Sequence, residues 1–89
     1  MIVDFDPAKN QNNIRIRGLD FAQVADFDFA TTQYALDDRR EYGETRWRAI
    51  GFIGERLYVL VFKPIDDGIR VISFRKANRR EVNKYAQDH

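Results

Sequence analysis

The spacing of apolar residues changes several times along the chain, and each change marks an element. From Ile69 to Tyr85 the sequence IRVISFRKANRREVNKY reads as a strand running straight into a helix. Ile69, Val71, Ile72 and Phe74 form a short β-branched and aromatic run after the turn residues Asp66-Asp67-Gly68. Asn78, with Glu81 three residues on, predicts a capping box and a helix starting at Arg79. Arg56–Phe62 is apolar on both sides, the pattern of a central strand. Arg46–Ile53 alternates: Trp47, Ala49, Gly51 and Ile53 on one face, Arg46, Arg48, Ile50 and Phe52 on the other. Thr32–Asp37 alternates enough for a further strand, and the polar stretch Asp37–Glu44 reads as a long turn or flexible loop. Met1–Phe5 has the pattern of a short edge strand. Asp6-Pro7 then caps a helix running to about Arg17, where Gly18 stops it. That helix is rich in Asn and weakly apolar, so it is expected to pack along one edge only. Asp20 with Gln23 opens a second, short helix from Phe21 to about Phe27.

The order predicts an α+β fold: two N-terminal helices, an antiparallel sheet of about four strands, and a C-terminal helix, in one domain over residues 1–89. The helices are expected to cover one sheet face. The other face would be partly open and carry Arg46 and Arg48, bordered by Lys9, Arg15 and Arg17.

Composition narrows the chemistry. At 44% hydrophobic and 13% aromatic residues the chain is an ordinary folded globule, not a disordered one. There is no cysteine, and the only histidine is His89, a chain end expected to be frayed and inert. Multi-histidine metal sites and histidine acid–base catalysis are therefore set aside, and no metal or cofactor is expected. Ser73 has no histidine partner. No phosphate-binding glycine loop is present. No apolar run reaches membrane-spanning length, and no leader precedes the first strand, so a soluble cytoplasmic protein is expected.

Net charge is only +1, yet it is unevenly spread. Residues 1–45 carry five Lys/Arg against nine Asp/Glu, and residues 46–89 carry ten against five. Such asymmetry predicts a face for an anionic partner. Arg75, Lys76, Arg79 and Arg80 gather at the start of the last helix, where cations oppose the macrodipole. That arrangement costs stability but suits a phosphate. Arg46 would join them if strands 46–53 and 69–75 lie close. RNA can be cut with no metal, because its own 2′-OH attacks the adjacent phosphorus. The protein then needs only to position the strand and stabilise the added negative charge. Arginine, planar and always charged, fits that role. Glu44 and Glu81 are candidate proton acceptors. Tyr85 is a candidate for base stacking, although a half-buried packing role competes. Trp47 reads as core.

Three blocks, FDPAKNQNNIRIRGLDF (5–21), YGETRWRAIG (42–51) and ISFRKANRREVNKY (72–85), resemble the BrnT family of type II toxins. The last block is the most specific, with Arg75, Ala77, Arg79, Arg80, Glu81 and Tyr85 in register. The resemblance implies a RelE-like ribonuclease fold, metal-independent RNA cleavage, and inhibition by a BrnA-type antitoxin. It also implies operator DNA binding only through that antitoxin, with a possible dimer in the complex. Family members usually carry Lys-His before the glycine that ends the first helix; here those positions are Ile16 and Arg17. By matched position, the resemblance assigns Arg46, Arg75 and Arg79, with Glu44, to catalysis. Lys9, Arg17 and Tyr85 are carried over beside them for RNA binding, and the cationic pattern adds Arg48, Lys76 and Arg80 to that role. The departure at Arg17 keeps a second reading open: a homologue that has lost catalysis and survives as an antitoxin-binding or RNA-binding module.

Overall fold

A computed structural model describes residues 1–88; His89 lies outside them. In chain order the elements are β1 (Ile2–Asp4), α1 (Pro7–Arg17), 3₁₀ helices at Phe21–Asp26 and Phe29–Thr31, β2 (Gln33–Leu36), β3 (Trp47–Ile53), β4 (Arg56–Ile65), β5 (Gly68–Lys76) and α2 (Arg79–Gln87). The expected α+β class holds. The expected four-stranded antiparallel sheet is corrected to five strands in the order β1-β5-β4-β3-β2, with β1 parallel to β5. Short connections report only sequential neighbours, and β1 instead pairs with a strand from the far end of the chain. Gly68 permits that pairing, because a Cβ there would overlap the Ile2 backbone. The second N-terminal helix is 3₁₀, not α. Its six residues suit that tighter form, and the capping box of Asp20 and Gln23 is complete. β4 runs past its expected end at Phe62, through Pro64 to Ile65. The reversal is confined to Asp66 and Asp67, and Asp67 sits at φ 61.

Helices pack on both faces, not one. Leu19, Phe21, Val24 and Phe27 bury against Ala49, Leu60, Phe62, Val71 and Phe74 on the first face. Gly51 lies on this face too, where a Cβ would collide with the Phe27 ring and the Thr32 hydroxyl. On the second face α2 lays Tyr85 edge-on against Phe52 at 5.4 Å. α2 covers only one end; beside it Val59 and Val61 are still buried, and the partly open part of the face is the charged side chains around them.

α1 is held by amide hydrogen bonds where most helices use an apolar stripe. Its buried residues are Asn10 and Asn13. Asn13 Nδ2 donates to the carbonyls of Leu19 (3.0 Å) and Phe74 (3.1 Å). Asn10 Oδ1 accepts from the Phe21 amide at 2.8 Å, and its Nδ2 donates to Asp20. Asn10 and Asn13 are one helical turn apart and share a face. The expected edge-on packing is observed, and its cause is this pair of asparagines.

One irregularity sets the orientation of the last strand. The β4–β5 register shifts between Val61 and Phe62: Phe62 pairs with Val71, and Val61 with Ser73. Ile72 is the extra residue of a bulge. Strict alternation from Ile69 and Val71 would send Ser73 and Arg75 into the core. The bulge gives that face to Phe74 and turns Ser73 and Arg75 to the other.

Candidate functional site

The sheet register builds the open face row by row. Arg48, Val61 and Ser73 align across β3, β4 and β5, and Ile50, Val59 and Arg75 form the adjoining row. Lys63 aligns with Arg70, which aligns with Asp4. Strands sit about 4.8 Å apart and the two residues lie in adjoining rows, so Arg48 and Arg75 start about 12 Å apart with β4 between them, within reach of one phosphate for two long side chains. Arg46, just ahead of β3, extends the cationic row. Arg46, Arg48, Lys63, Arg70 and Arg75 therefore share one face around the valines of β4.

Most of these cations carry an internal carboxylate. Arg75 makes a bidentate pair with Glu81, at 2.8 and 2.9 Å. Glu81 also completes the capping box by accepting from the Asn78 amide. Arg46 donates to Glu44 at 2.9 Å, and Lys63 approaches the same carboxylate at 3.4 Å. Arg70 pairs with Asp4. Among the described residues Arg48 has no such partner within ion-pair distance. These pairs set the electrostatics. Hydrogen bonds from Arg75 hold the Glu81 carboxyl below the usual glutamate range. The Arg46 guanidinium, and secondarily Lys63, lower Glu44 in the same way. Arg75 is raised in turn by Glu81, against a repulsion from Arg39.

Arg39 reaches the site because the loop expected to be flexible is organised. The Asp37 carboxylate is buried and accepts from Arg39 Nε (2.6 Å), Arg39 Nη2 (2.9 Å) and the Tyr42 hydroxyl (3.2 Å). Those bonds lower its pKa, Arg39 first. The loop is closed at its neck by the Asp37 amide donating to the Arg46 carbonyl at 2.9 Å. Arg46 lies over the Tyr42 ring, 4.1 Å from its centre.

The other residues singled out from sequence divide. Arg80 lines a cleft between α2 and strands β2 and β3, with Arg48 and Lys84. Arg79 borders a shallow groove along α2 with Asn83 and Gln87, so the expected convergence of Arg79 with Arg75 is not observed. Lys76 is exposed and pairs with Tyr58, which puts it on the face opposite Arg75. Lys9 and Arg17 border a separate depression between α1 and the free edge of β5, with Ser73. There Arg17 donates at 3.4 Å to the Phe74 carbonyl and to Asn13 Oδ1. Tyr85 is buried and donates its hydroxyl to the Thr31 carbonyl, which removes its ring from base stacking. Trp47 packs against the core as expected.

Sequence reasoning missed Arg39, Lys63, Arg70 and Lys84. Lys63 was readable from parity, since it shares the side of β4 that carries Val59 and Val61. Arg70 was readable in the same way, since it lies between the core residues Ile69 and Val71, whereas Arg39 depends on the loop closure, which leaves no local signal. Among the described residues no three His, Cys, Asp or Glu side chains are grouped to hold a metal ion. Among the described residues no helix is long and apolar enough to cross a membrane.

A family model described as "Ribonuclease toxin, BrnT, of type II toxin-antitoxin system" matches residues 5–81. No curated protein sequence matches the chain.

Proposed function

The chain belongs to the BrnT family of ribonuclease toxins of type II toxin–antitoxin systems, and from that premise we propose that it cuts RNA on the open sheet face by guanidinium-assisted attack of the 2′-OH. The observation that carries this reading is the placement of Arg46, Arg48 and Arg75 on one face by the register and the β5 bulge. A phosphodiester laid across β4 meets Arg48 from one side and Arg75 from the other. The 2′-hydroxyl gives its proton to water and its oxygen forms a bond to phosphorus as the bond to the 5′-oxygen breaks, and that leaving oxygen takes a proton from water. The products are a 2′,3′-cyclic phosphate and a 5′-hydroxyl. The guanidinium groups stabilise the charge that builds on the non-bridging oxygens. For this, the phosphate exchanges places with Glu81 on Arg75 and with Glu44 on Arg46.

Glu44 and Glu81 are weak proton acceptors, because ion pairing keeps both below the usual carboxylate range. Charge stabilisation then outweighs proton transfer. Arg75→Ala is expected to lower cleavage roughly 10²–10³-fold, and Glu44→Gln to lower it less than about tenfold. The measurement is cleavage of single-stranded RNA in EDTA, with end-group analysis for the cyclic phosphate. Intact RNA with the unaltered protein, or full activity in Arg75→Ala, overturns the reading.

One observation favours a second reading. Arg46 and Arg75 are already neutralised by carboxylates, as in a homologue that binds RNA or antitoxin without cutting. Expression of the chain alone separates the two: growth arrest supports the nuclease, and unaffected growth supports the binding module. Under either reading the partner is a BrnA-type antitoxin that covers the basic face with acidic or apolar segments and carries the complex to operator DNA in the cytoplasm.

A further inference from the structure

The cleft between α2 and strands β2 and β3 has a volume of about 300 Å³ and two unlike walls. One wall is apolar, from Ile50 on β3 and Ala35 on β2. The other, from α2, is cationic, with Arg80 and Lys84, and Arg48 stands at the edge of the first wall, on β3 and paired with Ala35. Arg80 and Lys84 are four residues apart on α2 and therefore project from the same helix face. Among the described residues none of the three cations has a carboxylate within ion-pair distance. This contrasts with Arg46 and Arg75, which are both paired. Two acidic residues also border the cleft: Asp88 near its far end, and Glu81, whose carboxylate is engaged by Arg75.

We propose that this cleft is a nucleotide subsite, holding successive phosphates of a single-stranded RNA on Lys84, Arg80 and Arg48 and a base against Ile50 and Ala35. The volume sits at the low end of small-ligand pockets and is too small for a helix. Single-stranded bases are held on flat platforms, aromatic rings or guanidinium planes, beside a cationic track; here the Arg48 guanidinium and the apolar surface of Ile50 and Ala35 stand beside Arg80 and Lys84. The cleft is also continuous with the cleavage site. Ile50 lies in the same cross-strand row as Arg75, two strands or about 10 Å away. At the roughly 3.4 Å rise of a stacked strand, that is two to three nucleotides. The Arg48 charge also reaches Glu81, the carboxylate that holds Arg75. Filling the subsite places a phosphate beside Arg48 and so sets which linkage meets Arg75. This inference rests on the nuclease reading for its meaning, but its binding test does not depend on cleavage.

The test uses a 2′-O-methyl RNA tetranucleotide, which has no free 2′-OH and cannot be cut. The paired variant Arg80→Ala/Lys84→Ala is expected to weaken its binding at least tenfold in fluorescence anisotropy, while Arg56→Ala, which removes an exposed charge elsewhere, stays within twofold. Backbone amide shifts of Ala35 and Ile50 are expected to move with uridine or adenosine 5′-monophosphate and not with inorganic phosphate. In RNA cleavage the paired variant raises KM and leaves kcat within twofold. Equal affinity of the paired variant and Arg56→Ala overturns the subsite. So does a response to inorganic phosphate equal to that of the nucleotides, or displacement of nothing but a bound acidic peptide. If no RNA is cut at all yet the tetranucleotide binds through this cleft, the nuclease reading fails and the subsite stands.

Discussion

Arg75 and Glu81 bind each other through two hydrogen bonds, so the residue best placed to hold a phosphate is also held away from it. Glu81 serves two purposes at once: it neutralises Arg75 and it caps α2 through the Asn78 amide. Glu81→Gln separates them, because a glutamine at this position keeps the capping box but not the charge. The variant is expected to bind RNA several-fold more tightly, measured by anisotropy at constant salt. Its stability profile follows from linkage. The folded Glu81 has a pKa below its unfolded value. Its contribution is therefore present at neutral pH, starts to fade as pH falls into the ordinary glutamate range, and is gone below the folded value. Urea midpoints between neutral pH and about pH 3 should fall less in Glu81→Gln than in the unaltered protein. An equal decline in both would mean that the pair adds nothing to folding. Asp37 shifts in the same direction and acts in the same acid window, which is why the comparison uses the difference between two proteins.

Among the elements, α1 gives the clearest contrast between exposed and buried positions. Asn10 and Asn13 are buried, and Asn12 is exposed, accepting only from its neighbour Arg15. Removing Asn10 leaves the buried Phe21 amide without its acceptor, and removing Asn13 takes its donor from the Leu19 carbonyl and leaves the Phe74 carbonyl only the 3.4 Å hydrogen bond from Arg17. Asn10→Ala and Asn13→Ala are each expected to cost about 1–3 kcal/mol in urea unfolding. Asn12→Ala is expected to stay within about 0.5 kcal/mol. The helix itself was legible, because Asp6, Pro7 and Gly18 mark its ends by local geometry. The same holds for the Asn78–Glu81 start of α2, for the alternation of β3 and for the two-sided apolarity of β4. What could not be read depends on partners distant in sequence. No hydropathy pattern tells Asn10 and Asn13 from Asn12. Nothing in Ile2–Asp4 names β5 as its neighbour. The apolar run Val71, Ile72, Phe74 hides the bulge that decides where Arg75 points. The candidate site divides in the same way: Arg46 and Arg48 followed from parity, Arg75 reaches their face only through the bulge, and Arg79, Lys76 and Tyr85 went elsewhere once helix phase and strand pairing were fixed.

Across the whole molecule, the acidic first half does not form a separate acidic face. Three of its ion-pair contacts reach into the basic second half: Asp4 with Arg70, and Glu44 with both Arg46 and Lys63. The charge asymmetry of the sequence is therefore partly spent inside the fold. What remains bare around the proposed RNA track is Arg48, Arg80 and Lys84. This has a measurable consequence. Each bare cation that meets a phosphate releases counterions from the nucleic acid, and for single strands the slope of log K against log salt is about −0.7 per contact. An ion-paired arginine behaves differently, because the carboxylate it abandons recruits a cation from solution as the phosphate arrives. Exchange at Arg46 and Arg75 then adds little to the slope. Binding of a short single-stranded RNA should show a slope near −2, the value for three contacts, and not about −3.5, the value for five. Glu81→Gln bares Arg75 and should steepen the slope by about 0.7. A slope near −3.5 in the unaltered protein, with no change in the variant, would mean that the internal carboxylates do not mask these arginines in solution.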